Sequence, residues 1–143
     1  MLLNAPDIFN YGYVNGICSF GPLVLNGTKY DFAQIPETAP ERDYVLNTLN
    51  PRSVFGWDSE NMYICFVDGR TPFSTGTDLT SLQNFIYGLG IQNAVNMDGG
   101  GSTQLWICPY EYNMMHIRAP ESPYYSKPNN TRSKAITLFR KVS

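Results

Sequence analysis

The chain has 143 residues, 43% hydrophobic and 15% charged, with 10 Lys and Arg against 12 Asp and Glu for a net charge of −2. That length favours one domain over residues 1–143, and the apolar share excludes a disordered chain. A surface so nearly neutral has no broad positive field, so neither nucleic acid nor an anionic membrane is an expected partner.

In chain order, Met1-Leu2-Leu3-Asn4-Ala5-Pro6-Asp7 lacks the basic region and sustained apolar stretch of a signal peptide. No apolar run approaches the length of a membrane span, which predicts a soluble, cytoplasmic protein. Leu23-Val24-Leu25 and Thr28-Lys29-Tyr30 flank Asn26-Gly27, the strongest short hairpin signal. Residues 33–50 read as a surface connection with one helical turn. Ser53-Val54-Phe55-Gly56-Trp57 and residues 62–67 flank Asp58-Ser59-Glu60-Asn61 and predict a second hairpin. One main helix is predicted over 78–89, capped by Thr77 or Asp78, with Leu79, Leu82, Phe85, Ile86 and Leu89 facing the core. Gly90 suits its left-handed C-cap. Strands follow at 92–97 and 103–108, then a long Pro- and Tyr-rich loop over 109–133 and a closing strand at 135–140. The sum is an α+β fold: a mixed, strand-rich sheet with one main helix and long loops.

The cysteines, Cys18, Cys65 and Cys108, are odd in number and form no CxxC pair. That argues against a disulfide framework or a zinc ribbon and predicts free thiols in a reducing compartment, with Cys65 and Cys108 buried. His116 is the single histidine, which excludes a three-His metal site, and the irregular stretch expected around it has no nucleophile elbow. The glycines fit neither GxxxxGK[ST] nor GxGxxG.

Two segments can carry chemistry. In Asn96-Met97-Asp98-Gly99-Gly100-Gly101-Ser102-Thr103 a strand end meets a carboxylate, three glycines and two hydroxyls. Bare glycine backbone can aim its N–H groups at an anion, with Ser102 and Thr103 as further donors; the alternative is a plain turn between strands. Val67-Asp68-Gly69-Arg70 also ends an apolar strand, and Arg70 suits a phosphate or carboxylate. Arg52 and Arg132 are further candidates.

Together with Pro51-Arg52-Ser53, the helix from Gly76-Thr77 to Gly90 and the hairpin Gly21-Pro22-Leu23-Val24-Leu25-Asn26-Gly27, these motifs stand in the order seen in phosphodiester glycosidases. The chain resembles a short form of that family, whose lysosomal uncovering-enzyme members remove N-acetylglucosamine from a sugar-phosphate diester. The resemblance implies cleavage between an anomeric carbon and a phosphate oxygen. It implies Asp68, Asp98 and Arg70 as catalytic residues, and Arg52, Asn96, Gly99, Gly100, Gly101, Ser102, Thr103 and Arg132 as substrate-binding residues. Two carboxylates suffice when phosphate is the leaving group. No cofactor is expected; a divalent ion beside Asp68 or Asp98 stays open, with no ligand cluster to mark it. The family's upstream Asn-Gly-Gly-Phe-Phe-like segment is reduced to Asn15-Gly16 at best. Two expectations follow: a homo-oligomer in which a neighbouring subunit completes the pocket, or a binder that sequesters a nucleotide-like or sugar-phosphate molecule without cleaving it.

Overall fold

A computed structural model of the chain describes residues 16, 19–35, 37 and 42–103, and the backbone of 105–110 and 113–118. The elements are β1 (Gly21–Leu25), β2 (Thr28–Lys29), α1 (Arg42–Asn47), β3 (Arg52–Trp57), β4 (Met62–Val67), α2 (Leu79–Gly88), β5 (Asn93–Asn96), β6 (Leu105–Tyr110) and β7 (Asn113–Arg118). Five strands form one sheet in the order β2-β1-β5-β3-β4, and β6 pairs with β7 separately. This is the expected α+β class; every described pairing is antiparallel, narrower than the mixed sheet anticipated.

The local chemistry of the turns explains the two hairpins. Asn26 and Gly27 both take positive φ, 50° and 73°, the pair of values a tight two-residue turn needs to match strand twist. At the second turn the Asp58 carboxylate accepts the Glu60 and Asn61 amides at 2.8 Å each and the Tyr63 hydroxyl at 2.6 Å. The Tyr63 bond, then the two amides, hold the Asp58 pKa below the usual carboxylate value. The same bond pushes the Tyr63 phenol up.

Helix α2 begins at Asp78, whose carboxylate accepts from the Ser81 amide at 2.8 Å. Beyond its last turn, Gly90 turns left-handed at φ 78°, as expected. The core joins Leu79, Leu82 and Ile86 of α2 to Leu23, Val24, Val54, Ala94, Ile91 and, from α1, Leu46. Phe85 and Leu89, expected to face this core, are instead 58% and 56% exposed. The fourth inward position belongs to Gln83, whose side-chain amide donates to the carbonyls of Leu23 at 2.9 Å and Tyr30 at 2.7 Å. Positions 79, 82, 83 and 86 make the tighter stripe of a helix face, and a satisfied glutamine fills the place that hydrophobicity alone assigned to phenylalanine. Cys65 is half-buried against the same core, and burial raises its thiol pKa.

The loop expected over 109–133 is corrected at its start: β7 occupies Asn113–Arg118 and pairs His116 with Trp106, so His116 lies on a strand. The Met114-Met115 pair and the preceding Pro109 hide the strand in the sequence, since methionine has no strand signature and proline disfavours a ladder. Pro109 falls where the register slips between Ile107 and Tyr110, a position proline tolerates. The strand expected at 135–140, with Arg132 and Cys18, lies outside the described residues.

Leu82 is 1% exposed, so Leu82→Ala is expected to cost about 2–5 kcal/mol by denaturant unfolding. Phe85→Ala should change stability by well under about 1 kcal/mol, as surface changes do; equal losses would show that both face the core. Asp78→Ala should cost about 0.5–2 kcal/mol at neutral pH as a lost N-cap. Because hydrogen bonds from the Ser81 amide lower the folded pKa of Asp78, this contribution is full above the unfolded value of about 3.9. It is lost as pH falls through the depressed folded value. The stability gap between wild type and Asp78→Ala should therefore close in acid.

Candidate functional site

Strands β4 and β5 flank β3 and both run antiparallel to it, so both finish beside its first residues. Val67 pairs with Arg52, and the Met97 amide donates to the Ser53 carbonyl at 2.8 Å. The turns that begin at Asp68 and Asp98 therefore leave the sheet at one end, on either side of Pro51. Their approach is close. A Cβ at Gly69 would stand 2.9 Å from the Pro51 nitrogen, and one at Gly99 would stand 2.8 Å from the Pro51 carbonyl oxygen. That oxygen accepts the Gly100 amide at 2.8 Å.

Arg70 joins the two turns. Its backbone sits at φ 57°, a left-handed conformation that costs a residue with a Cβ about 1–2 kcal/mol. From there the side chain reaches Asn50, whose Oδ1 accepts from Nε at 3.1 Å and from Nη2 at 2.6 Å. Nη2 also donates to the Tyr44 hydroxyl at 3.1 Å. The guanidinium lies over Gly100: a Cβ there would be 3.2 Å from Nη2 and 3.5 Å from Cζ. Among the described residues the one ion pair is Arg42–Asp43, and the acceptors that hold Arg70 are neutral.

Neither Asn50 nor Tyr44 stood out in the sequence. Tyr44 lies on α1, inside a stretch read as surface connection. Asn50 directly precedes Pro51-Arg52, and an Asn-Pro pair signals no more than a turn.

Arg52, at the same end of the sheet, is turned into the fold. It is 4% exposed and donates to the backbone carbonyls of Thr77 at 3.1 Å, Val45 at 2.8 Å and Thr48 at 2.9 Å. Burial lowers its pKa, Asp78 works against that, and the like charge of Arg70 adds to it. Asn96 is also buried, opposite Val54 and Gly21, and its Oδ1 has no hydrogen-bond partner among the described residues. Thr103 is buried, and its hydroxyl accepts from Ser53 at 3.3 Å.

Residues 100–102 form a single 3-10 turn. Within and around it, the Gly100 amide is used on Pro51, Ser102 on Gly99 and Thr103 on Gly100. Of the glycine amides expected to point at an anion, that of Gly100 is thus engaged inside the fold, and the positive side chain lying over this turn is Arg70. Gly101 and Ser102 are half-buried, Asp68 is half-buried and Asp98 is exposed. The Asp68 carbonyl accepts the Ser74 hydroxyl at 2.6 Å, which ties the turn after β4 to the next bend.

A model of the family described as phosphodiester glycosidase matches residues 4–138. The chain belongs to the phosphodiester glycosidase family. Among solved structures it is similar to the zebrafish N-acetylglucosamine-1-phosphodiester alpha-N-acetylglucosaminidase catalytic domain auto-inhibited by its pro-peptide. The two share 30% identity with a TM-score of 0.50, over 62% of this chain and 31% of that one. A hypothetical protein from Synechocystis, 24% identical, shares the fold with a TM-score of 0.54 over 70% of this chain and 18% of its own. The chain therefore spans less than a third of either solved relative. A comparison with the curated proteins finds no match. Among the described residues, no helix is long and apolar enough to cross a membrane.

The left-handed backbone of Arg70 gives a direct test of strain at this site. Arg70→Gly and Arg70→Ala remove the same hydrogen bonds, so their difference isolates the backbone. The glycine variant should be the more stable of the two by about 1 kcal/mol in thermal or denaturant unfolding. Equal stabilities would show that Arg70 is not held in this conformation in solution.

Proposed function

We propose that the chain binds a sugar phosphodiester at the Pro51 end of the sheet and hydrolyses the bond between the anomeric carbon and the phosphate oxygen. The observation that carries this reading is Arg70, fixed over Gly100 by the neutral side chains of Asn50 and Tyr44. A phosphodiester presents one negative charge to such a cation. Family membership and the zebrafish relative, whose name specifies an N-acetylglucosamine-1-phosphodiester, support the choice of substrate class.

In the reaction, the anomeric carbon–oxygen bond breaks and its electron pair leaves with the phosphate monoester, already a good leaving group. One of Asp68 and Asp98 stabilises or attacks the oxocarbenium-like centre, and the other takes a proton from the water that completes hydrolysis. Arg70 holds the phosphate oxygens as charge grows on them, a contribution that increases toward the transition state. The free Cys65 thiol accords with a reducing, cytoplasmic setting.

A second reading, sequestration without cleavage, is favoured by one observation: Asp98 is exposed. An open carboxylate can accept hydrogen bonds from sugar hydroxyls without taking part in bond cleavage. The experiment is incubation with the methyl phosphodiester of N-acetylglucosamine 1-phosphate, followed by denaturation and mass spectrometry. Release of free sugar and methyl phosphate is expected. Arg70→Ala should reduce kcat/KM about 10²-fold or more, as loss of an electrostatic stabiliser does. Tight binding with quantitative recovery of intact diester would establish sequestration instead, and no binding at all would remove both readings.

A further inference from the structure

An arginine side chain has five N–H donors in a fixed plane. In Arg70 the single Nε proton and both Nη2 protons are engaged, by Asn50 at 3.1 and 2.6 Å and by Tyr44 at 3.1 Å. Gly100 closes one face of the plane. What remains is Nη1, whose two donors meet no acceptor among the described residues. The acceptors are an amide oxygen and a phenol, so they fix direction without cancelling charge. Asn50 is itself held, 6% exposed, with its Nδ2 donating to the Thr48 hydroxyl at 2.6 Å and its backbone bridged to Thr77.

We propose that Asn50 is a positioning residue which, with Tyr44, locks the Arg70 guanidinium and presents Nη1 alone to an anionic oxygen of the phosphodiester. The inference rests on the reading that this site takes a phosphodiester. It makes Arg70 an end-on donor to one oxygen rather than a side-on fork across two. The neutrality of the clamp is then the point: a carboxylate at position 50 would keep both hydrogen bonds and lose the anion.

The test uses the full chain labelled with ¹⁵N, and follows the Arg70 side-chain resonances, assigned by their loss in Arg70→Ala. The probes are the methyl phosphodiester of N-acetylglucosamine 1-phosphate and the uncharged methyl N-acetylglucosaminide. Wild type should show slowly rotating, separately resolved Nη1 and Nη2 signals, with Nη1 shifting on addition of the phosphodiester only. Asn50→Ala should merge the two signals. Asn50→Asp should keep them resolved, while the Kd for the phosphodiester rises about tenfold or more through charge compensation. Affinity for the uncharged glycoside should be unchanged.

Should Asn50→Ala fail to fold, the Asn50→Asp arm still decides. Resolved signals that persist in folded Asn50→Ala, or an Asn50→Asp protein that binds the phosphodiester as tightly as wild type, would overturn the clamp while leaving the phosphodiester reading standing. Locked wild-type signals that respond to neither probe would overturn the phosphodiester reading, and with it the role given to Nη1.

Discussion

At Pro51 two chain reversals approach one residue so closely that neither can carry a side chain at its point of contact. Gly69 presses on the proline nitrogen and Gly99 on its carbonyl oxygen. Proline suits the first contact because it has no N–H to be orphaned by it. The second contact is fastened by the Gly100 amide on that oxygen. With both turns fixed to the first residues of the central strand β3, the side chains that follow them have little freedom to separate. The antiparallel register does the rest, since β4 and β5 can only end where β3 begins.

Two arginines share this end of the sheet and are used oppositely. Arg52 is buried and donates to three backbone carbonyls, so its cation is dissolved into the fold. Arg70 is half-buried, strained at its backbone and bound to side chains that leave its charge intact. Burial alone would disfavour a second cation so near the first, and Arg70 does contribute to lowering the Arg52 pKa. Asp78 offsets part of that repulsion at Arg52, and an anion bound at Arg70 would offset more of it. The carbonyls that surround Arg52 also screen it, which lets the outward field belong to Arg70.

Much of this was legible in the sequence, because the strongest signals there are local. Asn26-Gly27 forces its own turn, the strand that ends at Val67 reads from its apolar run, and Asp78 announces a helix start. The two Asp-Gly motifs and the family they suggest were legible for the same reason. What the sequence did not disclose depends on partners distant in the chain. Gln83 looks like a surface residue until the carbonyls of Leu23 and Tyr30 are brought beside it. Asn50 looks like a turn residue until Arg70, 20 positions later, arrives from β4. Arg52 and Arg70 are the same residue type in two motifs of one family pattern, and only the third dimension separates a structural tie from a candidate ligand group.

The helix that supplies Tyr44 is the weakest part of this arrangement. With six residues, α1 is far shorter than a helix that persists on its own. It stays in place through Leu46 in the core and through Arg52, which satisfies the carbonyls of Val45 and Thr48 near its C-terminal end. If the site takes the proposed phosphodiester, Arg52 acts on it through α1. Arg52 holds α1, α1 carries Tyr44, and Tyr44 shares with Asn50 the orientation of Arg70. The chain of contacts passes through a buried cation whose partners are backbone oxygens, which are insensitive to side-chain identity on α1. The site can therefore vary along α1 at every position except those that meet Arg70 or the core, and its geometry depends on the two buried residues of the Pro51-Arg52-Ser53 motif, Pro51 and Arg52.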